Sequence, residues 1–570
     1  MIIGIDVGGT FTDAVLLERD SGKLLNTVKV RTLNNNILAS LEHALDAVLD
    51  GVDPNKIKGI NLSTTIVTNL IAEKKYNPIG LILLPGPGLN PPTISFAHKT
   101  MVLTAAIDHR GRVTAPLREN EVLAAVEEFQ KAGLSRVAVV GKFSPRNHSH
   151  ELEVEKIIKT KYPQWEVDLG HRCGYQINFP RRIVNTVLTA ATKEPYQRFA
   201  TAVKEAIGKR KLMAPIMILK ADGGTLPLEE STSMPVETIF SGPAASVLGA
   251  LALTNSTNTG VVVDIGGTTT DLALILSGRP LMSEKGVLIG NSLTQVRSFA
   301  ITALPVGGDS HVTVDNGVIV IKPERLGPAA CLGGPVPTAT DALKVLGQVT
   351  IGSSELARQS LETLAHLKNI CSPGTVNTIS PEQVAQEIVA AVSQIIKHGI
   401  EDMFKAWQDE PTYRVWELLQ EIPEKPNTLI GVGGGAPGLV ELVSQSLGCK
   451  AFLPSNGSVA NAIGAAVAKP TVRISLRADT DQGFYNIHEE GFHGKLPLRT
   501  SRENVNLEDL ARDWVNKRAE RLGLGDSSQI ELIYHEVFNI VRDQRTVGSI
   551  HHLILETQWE ISHFLGGEKP

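Results

Sequence analysis

Two octapeptides carry the residue types that phosphate chemistry requires. Asp6-Val7-Gly8-Gly9-Thr10-Phe11-Thr12-Asp13 stands near the start of the chain, and Asp264-Ile265-Gly266-Gly267-Thr268-Thr269-Thr270-Asp271 near its middle; six of the eight positions are identical. Glycines free backbone N–H groups to converge on an anion, and the hydroxyls of Thr10, Thr12, Thr268 and Thr270 add further donors. Asp6 and Asp264, each at the end of an apolar run, have the hard oxygen ligands that suit a hydrated Mg²⁺. Asp13 and Asp271 close each motif with a second carboxylate. One copy alone would read equally well as a plain hairpin turn, but the repetition favours two phosphate-binding turns facing each other.

The elements that must position these residues follow from the flanking pattern. Ile2 to Asp6 reads as a short buried strand. A Rossmann or P-loop site would place a helix directly after its glycines. Here Asp13 to Glu18 is too β-like and too short, it ends at the turn Asp20-Ser21-Gly22, and Lys23 to Val30 reads as a third strand. The second copy is framed alike, by Val261 to Val263 and Leu272 to Ile275. A further glycine cluster, Gly433-Gly434-Gly435, does stand between a strand (Thr428 to Val432) and a helix (Gly438 to Leu447), where backbone can pack flat against a base or ribose. Two helices of small residues, Val247 to Leu253 after Ser241-Gly242-Pro243-Ala244-Ala245-Ser246 and Ser458 to Ala466, can approach closely enough to form a hinge.

Other residues are candidates of lesser specificity. Thr64, Thr65 and Asn69, opening a helix after the strand Ile57 to Leu62, could touch phosphate or substrate, or simply cap that helix. Gly307, Gly308, Asp309 and His311 precede an alternating hairpin around Asp315-Asn316-Gly317. Asp309 and His311, two apart, would face one side and reach a substrate, or form a surface pair. His148, His150 and Glu151 invite a metal; the alternative is a loop with Ser149 capping the helix Glu151 to Lys161. A cap is also expected at Asn34 to Asn36, before the apolar face of Ile37 to Val48.

The bulk properties narrow the class. A chain of 570 residues exceeds one small core, and its 42% hydrophobic and 20% charged content is that of a soluble α/β protein. A net charge of −5 without a basic block argues against nucleic acid. Four widely spaced cysteines suit a reducing cytoplasm. The start reads directly as a strand rather than a signal peptide, and no apolar run is long enough to span a membrane. The last hundred or so residues differ in texture: strands at Val472 to Leu476, Ile530 to Val541 and Ile550 to Gln558, with an amphipathic helix over Asn506 to Leu522 and no catalytic constellation. The expected division is therefore 1–180, with the first phosphate hairpin; 181–470, with the second and the Gly433–Gly435 cluster; and 471–570, a small accessory α+β domain.

The order of hairpin, small-residue helix, hairpin, glycine cluster and small-residue helix resembles the actin, sugar-kinase and heat-shock-chaperone ATPase superfamily. A closer resemblance, over residues 1 to about 470, is to the hydantoinase/oxoprolinase family, in particular the A-type subunit of N-methylhydantoinase and its acetone-carboxylase relatives. It is carried by Gly4 to Asp13, Ser63-Thr64-Thr65 with Thr68-Asn69, Phe143-Ser144 with His150-Glu151, Ser241 to Ala245, Asp264 to Thr268, and Thr340-Asp341-Ala342 with Leu346-Gly347. The sequence departs from the family at Gly307-Gly308-Asp309-Ser310, where relatives carry three glycines and a serine, in the abbreviated stretch Lys322 to Gly334, and after residue 470. The resemblance implies two ribonuclease-H-like lobes of the actin-like ATPase fold around a nucleotide cleft, ATP and Mg²⁺ as cofactors, and an oligomer. It implies a B-type partner subunit and a small-molecule substrate. The activity implied is ATP-dependent hydrolysis of a cyclic amide, the amide oxygen being phosphorylated into a leaving group; Asp13 or Asp271 would orient a water or order its hairpin. The alternatives are a small-molecule kinase with Asp309 as base, and a nucleotide-gated regulatory module.

Overall fold

The computed structural model describes the chain except residues 34–36, 89–95, 256–257, 284, 372–378, 410–424, 497–505, 525–528 and 566–570. The cap expected at 34–36 lies outside the described residues. β1 (Ile2–Val7), β2 (Phe11–Leu17) and β3 (Leu24–Arg31) form an antiparallel meander. β4 (Gly59–Thr64) and β5 (Ile216–Leu219) continue the sheet parallel to β1, and β6 (Thr225–Pro227) closes its edge. β1, buried at five of its six positions, is a central strand with both faces covered, which is why its sequence is a continuous apolar run.

The second sheet repeats the first. β7 (Gly260–Ile265) pairs antiparallel with β8 (Thr270–Leu276), which pairs with β9 (Ile301–Leu304). β10 (Thr428–Val432) and β11 (Lys450–Phe452) run parallel to β7 on its other side. The order β3-β2-β1-β4-β5 is thus matched, strand for strand and direction for direction, by β9-β8-β7-β10-β11. Because β5 and β6 belong to the first sheet, residues beyond 180 contribute to both halves, and the packing does not divide at the sequence boundary.

The helices α1 (Ser241–Thr254) and α2 (Ala460–Val467) lie between the sheets, sharing one core with Val15, Leu17 and Leu219 of the first sheet and Val262, Ala273 and Ile430 of the second. Their contact is backbone to backbone. A Cβ added at Gly249 would collide with Ala460 O, one at Gly464 with Ala245 O, and one at Gly4 of β1 with Ala462 O. A four-stranded parallel sheet (Glu166–Leu169, Arg136–Gly141, Gly80–Leu84, Lys99–Val102) flanks the first half with its own core.

The C-terminal sheet is antiparallel, in the order β14 (Phe492–Lys495), β13 (Phe484–Ile487), β12 (Arg473–Asp479), β16 (Arg545–Thr557), β15 (Ile530–Arg542). β13 and β14, four residues each, gave no sequence signal. Helix α3 (Leu507–Arg521) buries Leu507, Ala511, Val515 and Ala519 against one face of this sheet. Among the described residues no helix is long and apolar enough to cross a membrane.

The helix contact makes a stability prediction. Gly249→Val and Gly464→Val should each cost roughly 3 kcal/mol or more by overpacking. Gly434→Ala, with nothing within 4 Å of the added carbon, should change the urea midpoint little.

Candidate functional site

The two hairpins are built alike. In the first, Asp6 pairs with Asp13 and Val7 with Thr12, and the Gly8 N–H donates to Phe11 O at 3.1 Å. In the second, Asp264 pairs with Asp271 and Ile265 with Thr270, and the Gly266 N–H donates to Thr269 O at 3.0 Å. Each turn therefore leaves its tip at the carboxyl edge of a central strand, with Gly9, Gly266 and Thr268 exposed. The tips face each other: a Cβ on Gly267 would lie 3.4 Å from Thr10 Oγ1.

Not every motif residue reaches this cleft. Thr12 and Thr270, expected to donate to phosphate, are fully buried. Thr12 Oγ1 is 3.0 Å from Thr32 Oγ1, and Thr270 Oγ1 donates to Val306 O at 2.8 Å. Side chains alternate along a strand, so these hydroxyls brace the hairpins from behind. Gly307 and Gly308 are also structural. The Gly308 N–H donates to Gly266 O at 2.8 Å and the Asp309 N–H to Gly267 O at 2.6 Å, docking this loop on the second hairpin. Gly307 must be glycine because a Cβ would stand 2.6 Å from Gly267 O. Asp309 comes to the same tip, with Arg325 Nη2 2.8 Å from its Oδ2. His311 instead pairs through its backbone with Thr338 and Glu324, and among the described residues no hydrogen bond or ion pair joins it to Asp309.

Thr64 Oγ1 accepts the Ile66 N–H, so it serves the helix start. Asn69 Nδ2 donates to Thr65 Oγ1 at 3.3 Å and lies within 3.7 Å of where a Gly9 Cβ would be. Asn69 is thus beside the first tip. Of the glycine cluster, Gly433 (φ +84°) packs against Asp264, and the Gly435 N–H donates to Ile265 O at 3.2 Å. Gly434 alone is open and exposed. The histidine cluster is elsewhere. Glu151 accepts the Gly141 and His171 N–H groups and faces His171 Nδ1 at 2.5 Å, and helix Ser149–Lys161 starts with His148, not Ser149, at its cap position. Among the described residues no group of three or more His, Cys, Asp or Glu side chains is placed to hold a metal ion.

The carboxylates set the electrostatics. Burial, with Asp13 and Asp264 nearby, pushes Asp6 up to about 7 although Ser63 Oγ donates to its Oδ1 at 2.5 Å. Burial also raises Asp13 and Asp264. Asp271 is pushed up to about 8 by burial and by Asp264. One cation answers them. Lys29 Nζ lies 2.9 and 2.7 Å from the two Asp13 oxygens and donates to Ser458 O at 2.9 Å. Here the twin hairpins differ: β3 sets Lys29 opposite Asp13, whereas β9 sets Ala303 opposite Asp271. Among the described residues Asp271 has no hydrogen bond or ion pair. These carboxyl groups leave surplus negative charge at the cleft, but among the described residues no three of them are placed to hold a metal ion by themselves, so a hard cation such as Mg²⁺ would need ligand and water oxygens beside a pair of them.

Sequence reading missed Lys29, Thr32 and Arg325, and it named Ser63 in a hydroxyl cluster without its bond to Asp6. Lys29 left one usable signal, a lysine at the position of the third strand that register places opposite Asp13. The others needed the tertiary fold. Asn461 and Ser246, from the helices α2 and α1, also stand beside Asp264 and lower its carboxyl.

Two like sheets thus present two glycine hairpins, tip to tip, beside four carboxyl groups. The chain belongs to the hydantoinase/oxoprolinase family: the family's model matches residues 182–474, and that of the family's N-terminal region residues 2–162. It is 26% identical to the caprolactamase subunit alpha of Pseudomonas jessenii over 97% of this chain and 80% of that protein. It is 25% identical to the acetophenone carboxylase gamma subunit of Aromatoleum aromaticum, over 68% of this chain and 59% of that one. With 5-oxoprolinase 1 of Arabidopsis thaliana it shares 24% identity over 79% of this chain, which spans only 40% of that protein. A nucleotide-free structure of acetone carboxylase superimposes with a TM-score of 0.72 at 16% identity, over 99% of this chain and 88% of that one. The ATP-dependent caprolactamase from Pseudomonas jessenii superimposes with 0.68 at 21%, over 100% and 89%. These likenesses show a shared α/β fold.

Asp271 permits a signed stability prediction. An aspartate in the unfolded chain titrates near 4, but in the fold Asp271 holds its proton to about 8. The folded state therefore binds more protons between these values, and stability falls as pH rises through that window. Asp271→Asn never ionises, so the ligand-free variant should match the parent near pH 4 and exceed it at pH 9 by on the order of 1 kcal/mol or more. Urea denaturation at the two pH values measures this; a variant less stable at pH 9 would show that the carboxylate is stabilised by an unseen partner.

Proposed function

We propose that this chain is an ATP-dependent hydrolase, or the ATPase subunit of one, acting on a cyclic amide such as a hydantoin or lactam. The observation that carries the reading is the pair of hairpins of identical register, tip to tip, each ending in buried carboxylates. The repeated sheets read as the ribonuclease-H-like lobes of an actin-like ATPase, with ATP between them and Gly434 as the open surface against its adenosine. The accessory unit begins near residue 471. Three of the relatives carry subunit names (caprolactamase alpha, acetophenone carboxylase gamma, acetone carboxylase beta), which supports a multi-subunit assembly and a B-type partner here.

An amide is a poor electrophile, and transferring the γ-phosphoryl group to its oxygen converts that oxygen to a leaving group that water can displace. The balance is ATP, amide and water in; ADP, orthophosphate and ring-opened amino acid out. Such a transfer is won by positioning and charge compensation. The N–H groups of Gly9 and Gly267, with the hydroxyls of Thr10 and Thr268, would bind the phosphates. Asp6 and Asp264 would hold Mg²⁺, which supplies positive charge where phosphoryl oxygens gather; two carboxylates plus phosphate oxygens and water are the usual complement for this ion. Lys29 separates the two remaining aspartates. Asp13 is tied to it and orders its hairpin, whereas Asp271, unpaired, is the group available to orient or deprotonate a water.

The test is ATP turnover across a panel of hydantoins, lactams and ketones with the fate of the phosphoryl group traced. Free phosphate released in step with ring opening supports the proposal. A stable phosphorylated product would instead mean a kinase, with Asp309 beside the second tip as its base. Asp264→Asn should lower turnover about 100-fold or more with an unchanged circular dichroism spectrum; if activity survives, the cation assignment is wrong.

A further inference from the structure

The second hairpin tip carries a cation that the reaction outlined above leaves unused. Strands Val312–Asp315 and Val318–Ile321 pair antiparallel, Val312 opposite Ile321 and Asp315 opposite Val318. This short hairpin folds the chain back on itself. The Lys322 N–H donates to His311 O at 2.8 Å, and the His311 N–H to Glu324 O at 3.4 Å. Arg325, the next residue, is thereby returned to Asp309, with its Nη2 2.8 Å from Asp309 Oδ2.

Asp309 is in turn fixed to the tip. Its N–H donates to Gly267 O at 2.6 Å, beside the bond from the Gly308 N–H to Gly266 O. Its Oδ2 would stand 2.9 Å from a Cβ on Gly267, and Thr10 Oγ1 of the opposite tip 3.4 Å from that same point. A single carboxylate oxygen thus separates the Arg325 guanidinium from the gap between the tips. The two partners differ in access: Asp309 is 5% exposed, whereas the Arg325 side chain is 27% exposed. The carboxylate is shut in while the guanidinium can still be reached.

Donor counting sets Arg325 apart from Lys29. An ammonium has three N–H donors and a guanidinium five. Lys29 Nζ bonds both Asp13 oxygens, at 2.9 and 2.7 Å, and Ser458 O at 2.9 Å, which is its full complement. Arg325 donates from Nε to Gly327 O at 3.3 Å and sets Nη2 against Asp309. Among the described residues its Nη1 has no hydrogen bond or ion pair. The contact with Asp309 is also an open one, since Oδ2 accepts no hydrogen bond of good geometry despite the short approach. Arg172 shows the closed form, with Nη1 and Nη2 donating to the two oxygens of Glu155 at 3.0 and 3.2 Å.

We propose that Arg325 is a phosphate-binding residue of the second hairpin, donating to the phosphate oxygens of a nucleotide held between the tips, and that Asp309 is its positioning residue. The inference rests on the ATP reading given under the proposed function. It adds what that reading lacks: the glycine N–H groups and threonine hydroxyls are neutral donors, and Lys29 has none to spare. A guanidinium suits the task because its planar fork matches phosphate oxygens and it stays charged. Held at the tip by Asp309, the side chain need not be ordered when the anion arrives. An aspartate occupied in this way is poorly placed to serve as a base for a substrate hydroxyl, which counts against the kinase alternative.

The experiment titrates the full chain with Mg·ATP in a calorimeter, with the circular dichroism spectrum of each variant as the folding check. Arg325→Met should weaken binding about tenfold or more, with Arg325→Lys in between. Asp309→Asn separates phosphate binding from a merely structural ion pair, which would make the loss of either partner harmful alike. The phosphate role gives opposite signs. Asp309→Asn removes a negative charge beside the anion yet keeps an oxygen for the arginine to rest on, so binding should tighten about threefold. Unchanged affinity in Arg325→Met, or weaker binding in Asp309→Asn, would overturn the assignment while leaving the ATP reading intact. Should Arg325→Met fail to fold, Arg325→Lys and Asp309→Asn decide by the same signs. A parent chain that binds no Mg·ATP would overturn the ATP reading itself, and the assignment with it.

Discussion

Four carboxyl groups crowded between two hairpin tips, with one lysine to answer them, form the constraint on which the rest of this structure depends. Burial lifts Asp6 and Asp271 to about 7 and 8, so ionising all four carboxyl groups together is electrostatically unfavourable near neutral pH. The fold holds them together because each tip is fixed from behind: Thr12 on Thr32, Thr270 on the Val306 carbonyl, and the Gly307–Asp309 loop on Gly266 and Gly267.

The two helices between the sheets convert this local arrangement into a relation between halves. Gly249 and Gly464 bring α1 and α2 into backbone contact, and Ser246 and Asn461 on those same helices stand beside Asp264. A shift of one helix along the other would therefore move carboxylate neighbours as well as sheets. Lys29 adds a second tie, bonding Asp13 of the first half and the Ser458 carbonyl just ahead of α2. These few residues connect the carboxyl groups of the cleft to the elements between the sheets.

The twin hairpins are almost identical as sequence but not as chemistry. Their shared octapeptide fixes two like turns, because glycine at the tips and alternating threonines are local requirements that spacing alone reveals. What distinguishes Asp13 from Asp271 is the third strand of each meander, which presents Lys29 in one and Ala303 in the other. That strand is separated from its hairpin by a turn in the first half and by more than twenty residues in the second, so no local pattern could show it.

The sequence by itself determined the hairpins, the strand after each, the small-residue helices and the family, because these rest on local spacing and on residue types with few alternative uses. It over-assigned Thr12, Thr270, Gly307 and Gly308 to ligand contact, since a motif names residues without saying which side of a strand they occupy. The tertiary structure alone decided which hydroxyls brace and which face the cleft, and which aspartate is paired. Charge pairing and burial depend on register between distant strands, and register is settled only when whole faces pack together.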